Sequence, residues 1–273
     1  MGRLAWDETG EHLYETGVDR GVVYPYDADA KQYKNGEAWN GLTGWTESPS
    51  GADETKLYAD NIKYLSLRAA EDFGATVTAY TYPDAVGILD GSVQPVKGIK
   101  IYQQARKAFG MCVRTIVGND IEMNDYGYKL HLVYGMTMSP SEKSYSTVND
   151  SPEAIEFSWE LSSTPVPVKG YKPTGVLTIE SKEVDAAKLA AFEDILYGSD
   201  ATEDSYVVTA DTSFQPDKTY YEKSGENTYT ATSDVTMDPE KTYYEKIPGH
   251  EATNPRLPLP DEVIEFFGAT VGG

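Results

Sequence analysis

Three stretches of this chain alternate apolar and polar residues with a period of two, and that rhythm restricts the fold more than anything else in the sequence. In 155–161, Ile155, Phe157, Trp159 and Leu161 form one face, while Glu156, Ser158 and Glu160 form the other. Only a strand sends successive side chains to opposite faces, and one covered face with one wetted face suits an antiparallel sheet. In 109–119, Phe109, Met111, Val113, Thr115 and Val117 alternate with Cys112, Arg114 and Ile116. In 128–136, Tyr128, Leu130, Leu132, Tyr134 and Met136 alternate with Lys129, His131 and Val133. The Asn-, Asp- and Gly-rich segment between these two predicts a hairpin connection. Segments 62–69, 75–82 and 174–180 read as further strands, and 21–26 and 36–42 as weaker ones.

Helical pattern is scarce. Residues 181–198 place Leu189, Phe192, Ile195 and Leu196 on one stripe, with Ser181 as the expected N-cap and Gly198 as the stop. A shorter helix is predicted over 99–107, and another from Pro260 to the residue before Gly268. The fold class is therefore mainly β: an antiparallel sandwich or barrel flanked by one main helix.

Charge and cysteine content narrow the function. The 273 residues carry 44 acids against 23 bases, a formal charge of −21. Such a chain repels phosphate backbones, so sequence-specific nucleic-acid binding is disfavoured; the bases read as scattered, with no cationic patch. Cys112 is the single cysteine, which excludes an internal disulfide and a cysteine zinc site. Three histidines, His12, His131 and His250, are too few and too separated for a metal cluster. No run of about 18 apolar residues predicts a membrane-spanning helix, and the opening residues lack the apolar core of a secretory signal.

No nucleophile elbow, zincin helix, phosphate loop or dinucleotide fingerprint is present. Adjacent carboxylates such as Glu71-Asp72 and Glu193-Asp194 arise by chance in so acidic a chain. Asp27/Asp29 and Asn119/Glu122 offer oxygen ligands, but without the spacing of a calcium loop they read as turns. His131 reads as a structural histidine and Cys112 as a small buried residue. No catalytic residue, metal or cofactor is predicted.

Two regions look unlike core. Residues 43–60 are polar and broken by Gly, Ser and Pro, which predicts a long loop. Residues 205–223 recur as 228–246, with ten of nineteen positions identical, including the block from Lys218 to Lys223 against Lys241 to Lys246. Each unit reads as two short strands around a Pro-Asp or Pro-Glu turn, and pairing of the two units into a four-stranded element is expected because a lone hairpin is marginal in water. Over 199–254 there are 12 acids and 4 bases, a charge of −8. The repeat reads as an insertion in a surface loop, so the domains are 1–200 with 254–273, and 201–253. Tyr220, Tyr221, Tyr243 and Tyr244 are expected to be exposed in it; cross-strand packing explains these pairs more plainly than a sugar platform.

The blocks 38–61, 70–84, 109–120, 127–135, 150–166, 194–200 and 254–263, in that order, resemble the major tail (tail tube) proteins of long-tailed, non-contractile phages. The resemblance covers roughly 10–200 and 254–267 and departs from the family's short form at 201–253. It implies a β sandwich or barrel without catalytic residues, assembled as hexameric rings stacked into a hollow tube that conducts DNA without binding it specifically. It implies a virion-tail location after assembly in the host cytoplasm. Partners would be further copies of the chain, a tape measure protein, and terminator or baseplate proteins. It also implies a loop at about 40–61 reaching a neighbouring subunit or ring, here with Trp45, Pro49, Leu57 and Tyr58. The polar face bearing Glu156 and Glu160 is a candidate lining for the bore, though outer solvent would suit it equally. The competing class is a β-sandwich adhesin or capsid decoration protein whose repeat holds host glycans; a glycan hydrolase ranks third.

Overall fold

The computed structural model describes residues 6–148, 150 and 154–268; part of the 150–166 block and the first five residues of the segment read for a signal lie outside it. The protein is mainly β and antiparallel, and divides into two compact units, Met1–Gly198 with Asn254–Gly273, and Ser199–Thr253.

The first unit runs β1 (Tyr14–Asp27), β2 (Gln32–Tyr33), β3 (Glu37–Trp39), β4 (Leu42–Glu47), β5 (Ser50–Gly51), β6 (Glu54–Ala59), β7 (Ile62–Arg68), β8 (Glu71–Asp72), β9 (Gly74–Ala79), α1 (Asp84–Leu89), β10 (Val93–Val96), β11 (Ile99–Ile101), β12 (Phe109–Asn119), β13 (Met123–Met138), β14 (Phe157–Ser163), β15 (Val176–Glu180) and α2 (Ala186–Tyr197), and closes with α3 (Pro260–Phe267) after the second unit. Its main sheet has the order β2-β1-β12-β13-β14-β9-β4, with β15 also on β13 and β3 on β1.

β13 lets this sheet turn back on itself. Its middle pairs with β15 from Lys129 to Val133, and its end pairs with β14 from Met136 to Met138. Gly135 sits at the changeover with φ +60, and a Cβ there would fall 2.0 Å from the Thr164 carbonyl oxygen. Only glycine takes that geometry without strain. The turn brings β14, β9 and β4 over β1, β12 and β13, and the enclosed core gathers Val77, Met111, Val113, Met136 and Trp159 with Val86 and Leu89 of α1. Trp159 lies at its centre, edge-on to Trp39 (5.1 Å between centroids) and to Tyr82 (5.3 Å).

The other face of β12 and β13 is covered too. Tyr24, Cys112, Leu130, Leu132 and Tyr134 pack against Leu189, Phe192 and Leu196 of α2 and Val263 of α3. Both faces of these strands are buried, so their non-core positions are less polar than those of β14. The N-cap of α2 is Asp185, whose side chain accepts from the Lys188 amide at 2.9 Å, not the expected Ser181. α3 begins at Pro260 and stops before Gly268, as its sequence implies.

Two expectations fail here. Residues 99–107 form no helix: Ile99–Ile101 is the second strand of a hairpin whose turn is Lys97-Gly98, with Gly98 at φ +86. Alternating β-branched residues flank that turn and outweigh the helical reading. Residues 43–60 are not an irregular loop. β4–β9, β5–β8 and β6–β7 pair in succession, making one long two-stranded arm from the sheet to a tip at Asp60-Asn61. Both tip residues have positive φ (50° and 63°), the conformation of a type I′ hairpin turn.

The second unit contains β16 (Ser205–Val208), β17 (Tyr220–Lys223), β18 (Tyr229–Ala231) and β19 (Tyr243–Ile247), in the order β16-β19-β17-β18. Neither repeat pairs its own two strands, as a hairpin per repeat would have required. The central pair aligns Tyr221 with Tyr244, which are equivalent residues of the two repeats. Outward from that point the registers match: Tyr206 opposite Lys246 corresponds to Tyr229 opposite Lys223, and Val207 opposite Glu245 to Thr230 opposite Glu222. The unit is a strand-exchanged pair with a pseudo-twofold axis.

Candidate functional site

Two surfaces of the first unit and the aromatic sheet of the second carry the residues singled out in the sequence.

The first surface is the outer face of β4, β9 and β14. Inward-facing Ala75, Val77, Ala79, Trp159 and Leu161 are buried. Their alternates Thr46, Thr76, Thr78, Ser158 and Glu160 are half-buried or exposed on the opposite side. The register aligns Thr46 with Thr76 and Thr76 with Glu160 across the three strands. Thr43 Oγ1 lies 2.8 Å from Thr78 Oγ1 and also donates to Glu156. Glu156 and Glu160 are both exposed, as their alternation implies. No lysine or arginine occurs in β4, β9 or β14, so this wall offers hydroxyls and carboxylates alone.

The second surface is the outer part of the arm. Cross-strand neighbours share a face, so Leu57 opposite Leu65 and Leu67 opposite Thr55 make one aliphatic side. These leucines are 42%, 45% and 51% exposed, and Tyr58, Ile62 and Tyr64 are more so. On the other side Lys63 reaches Glu54 at 2.6 Å and holds that carboxyl below the usual range. Leu57 and Tyr58 are therefore exposed on the arm, and Pro49 is exposed between β4 and β5. Trp45 does not join them: it packs half-buried against the protein's own core, with Nε1 donating to Glu47 at 3.1 Å.

In the second unit, Tyr220 and Tyr243 are buried (3% and 4% exposed), contrary to expectation, while Tyr221 and Tyr244 are half-buried. Tyr220 donates to Asp211 at 2.6 Å, and Lys218 bridges Asp211 (3.0 Å) and Glu245 (3.1 Å). The twofold mate repeats this: Tyr243 donates to Asp234 at 2.8 Å, and Lys241 bridges Asp234 (2.8 Å) and Glu222 (3.2 Å). Tyr220 and Lys218 lower the Asp211 pKa, and Lys241 and Tyr243 that of Asp234. Four of the ten positions identical between the repeats, Asp211, Lys218, Tyr220 and Glu222 with their mates, are thus members of one twice-used network. On the opposite face Tyr206 and Tyr229 stack at 4.1 Å, flanked by Tyr221 and Tyr244.

The remaining sequence candidates have structural partners. His131 sits between Thr115 (2.9 Å) and Glu47 (3.1 Å). Cys112 is fully buried, and burial pushes its thiol up to about 12. Asp27 accepts from the amides of Asp29 and Ala30, and Asn119 from those of Ile121 and Glu122. Both are side-chain-capped turns. Among the described residues no group of three or more His, Cys, Asp or Glu is placed to hold a metal, and no helix is long and apolar enough to cross a membrane.

No family model matches the sequence, and no curated protein matches it. Among solved structures it is similar to a chain from the sheath–tube complex, in the extended state, of an extracellular contractile injection system termed PVC. That match covers 59% of this chain and 88% of the other, at 12% identity and a TM-score of 0.28. A likeness this slight settles neither fold nor function.

Proposed function

We propose that the protein is a non-catalytic structural subunit that polymerises with copies of itself into the tail tube of a long-tailed phage. The arm carries this reading. A two-stranded ribbon is marginal in water, and one that turns three leucines, two tyrosines and an isoleucine to solvent is worse. It is stable where a second copy covers it. A donor arm joined to a receiving surface elsewhere on the same chain is a heterologous contact, which closes into rings or extends into filaments. The family resemblance of the sequence supplies the hexameric ring, the stacking of rings and the passage of DNA.

The β4–β9–β14 wall then faces the bore. Its hydroxyls and its Glu156 and Glu160 carboxylates offer no cation to hold a phosphate, so DNA slides past instead of adhering. The experiment is sedimentation of the purified protein over a concentration series. Concentration-dependent conversion from small species to large polymers is expected. A monomer or small closed oligomer at every concentration sinks the proposal and favours an adhesin or decoration protein.

A further inference from the structure

The arm leaves the body of the first unit at a break in its ladder. Glu47 closes the β4–β9 pairing opposite Ala75, and the next paired residues are Ser50 and Asp72. Ser48 donates its amide to Gly74 at 2.8 Å, but Pro49 has no amide to give. Phe73, at the same level, gives its carbonyl to the Ser163 amide of β14 at 2.9 Å. β4 is also the last strand of its sheet, with β9 as its ladder partner, so backbone bonds hold its end from one side only. A side chain from the other layer reaches that end. His131 of β13 pairs with Val113 and points, like Val113 and Val133, into the space between the layers. Its side chain is 11% exposed. Nε2 lies 2.9 Å from Thr115 Oγ1; Nδ1 is buried and lies 3.1 Å from Glu47 Oε1. Moving Glu47 away would strip a buried ring nitrogen of this neighbour, which is unfavourable.

We propose that His131 is a positioning residue for the arm. It holds Glu47, and with it the end of β4, against the opposite layer, and so fixes the direction in which β5–β8 and β6–β7 leave the body. The inference rests on the self-assembly reading above and adds what aims the arm. An arm that meets a neighbouring copy must present its leucines at one angle, because a heterologous contact repeats that angle at every joint. A ribbon hinged at Pro49 and Phe73 would spread over many angles and lose that freedom on docking. With β4 pinned, the ordering is already done in the free chain. Trp45 takes part from the near side: it packs against the core and donates to the same Glu47 oxygen at 3.1 Å, so the carboxylate is held from both layers.

The test is a distance measurement by pulsed electron spin resonance on the full chain. Spin labels go on Lys56→Cys in β6 and Ala187→Cys in α2, both exposed positions; Cys112 is buried and stays unlabelled. The dilute, unassembled protein is expected to give one narrow distance distribution. Glu47→Ala and His131→Ala are each expected to widen it at least twofold. Glu47→Gln, which keeps an oxygen beside the imidazole, is expected to leave it narrow. Glu47 is 37% exposed, so its replacement keeps the fold even where His131→Ala, which empties a buried site, does not; circular dichroism checks this. An equally narrow distribution in Glu47→Ala, or an equally wide one in Glu47→Gln, overturns the proposal, and so does a wide one in the parent. In light scattering, Glu47→Ala should raise the concentration needed for assembly at least tenfold; assembly at the parent's concentration contradicts the proposal. The distances are read before assembly, so a parent that never polymerises overturns the self-assembly reading alone.

Discussion

Replacing the cross-strand pair Leu57 and Leu65 with serine tests the arm in a way that separates assembly from folding. Fully burying a leucine is worth about 1.5–3 kcal/mol. These two are 42% and 45% exposed, so roughly half of that value, about 1 kcal/mol each, remains to be gained when a neighbour covers them. Serine forfeits that gain and adds about 1 kcal/mol or more for each hydroxyl that a joint would bury without a partner. The sum, about 4 kcal/mol per joint, raises the critical concentration for assembly by roughly a thousandfold. Within the monomer the half of each side chain that is already covered is worth a similar amount, about 1 kcal/mol each, so the dilute protein should lose about 2 kcal/mol, less than the joint loses. The assay is light scattering over a concentration series, with thermal melting of the dilute protein alongside. Undiminished assembly refutes the claim that a neighbour covers the arm. A melting temperature lowered by more than about 10 °C refutes the claim that the joint, not the isolated fold, bears most of the cost.

Other outcomes follow from the same geometry. Trp159→Ala empties the centre of the sandwich core and should cost about 3–5 kcal/mol in denaturant unfolding of the first unit. Asp185→Ala removes the cap of α2 and should cost about 1 kcal/mol by the same measurement. Asp211 and Asp234 have lowered pKa values in the folded unit. Their contribution is therefore complete above the ordinary carboxylate range and is lost as pH falls through the depressed folded values. Tyrosine fluorescence should accordingly report loosening of the second unit on acidification below about pH 4, with Asp211→Asn and Asp234→Asn equivalent in effect. Deleting one repeat period, 224–246, leaves a unit whose two strands do not pair with each other; light scattering after size exclusion should show two chains completing one twofold sheet, and a folded monomeric unit would refute the strand exchange.

The sequence displayed those parts of the fold in which residue types alternate between faces. β14 is legible because every second residue enters a core, β12 because its larger apolar residues take one face although both faces are buried, and α2 because Leu189, Phe192 and Leu196 recur at helical spacing. Half of the arm was legible: 62–69 reads as a strand and is β7, but β6 was not, since both of its faces are wet and no alternation marks them. Its one local signal was Asp60-Asn61, a two-residue turn between Tyr58-Ala59 and Ile62-Lys63. In β10–β11 the apolar side faces out, so its spacing invited a helix instead. The repeat announced two copies of one unit, yet a repeat cannot reveal whether its strands pair within or between copies; that choice buried Tyr220 and Tyr243. Of the surface candidates, Glu156 and Glu160 are exposed as their alternation implies, and Leu57 and Tyr58, singled out by the family resemblance, are exposed as well. Trp45 is not, because a large aromatic on a strand beside β9 finds its own core before it finds a neighbour.

The account depends most on chains docking side by side around a bore walled by threonine, serine and glutamate. A cryo-electron-microscopy reconstruction of concentrated protein decides this directly. A hollow filament with Glu160 and Thr78 on its inner wall is the predicted result. Dispersed particles, or a filament whose interior is lined by another face of the sheet, contradict it.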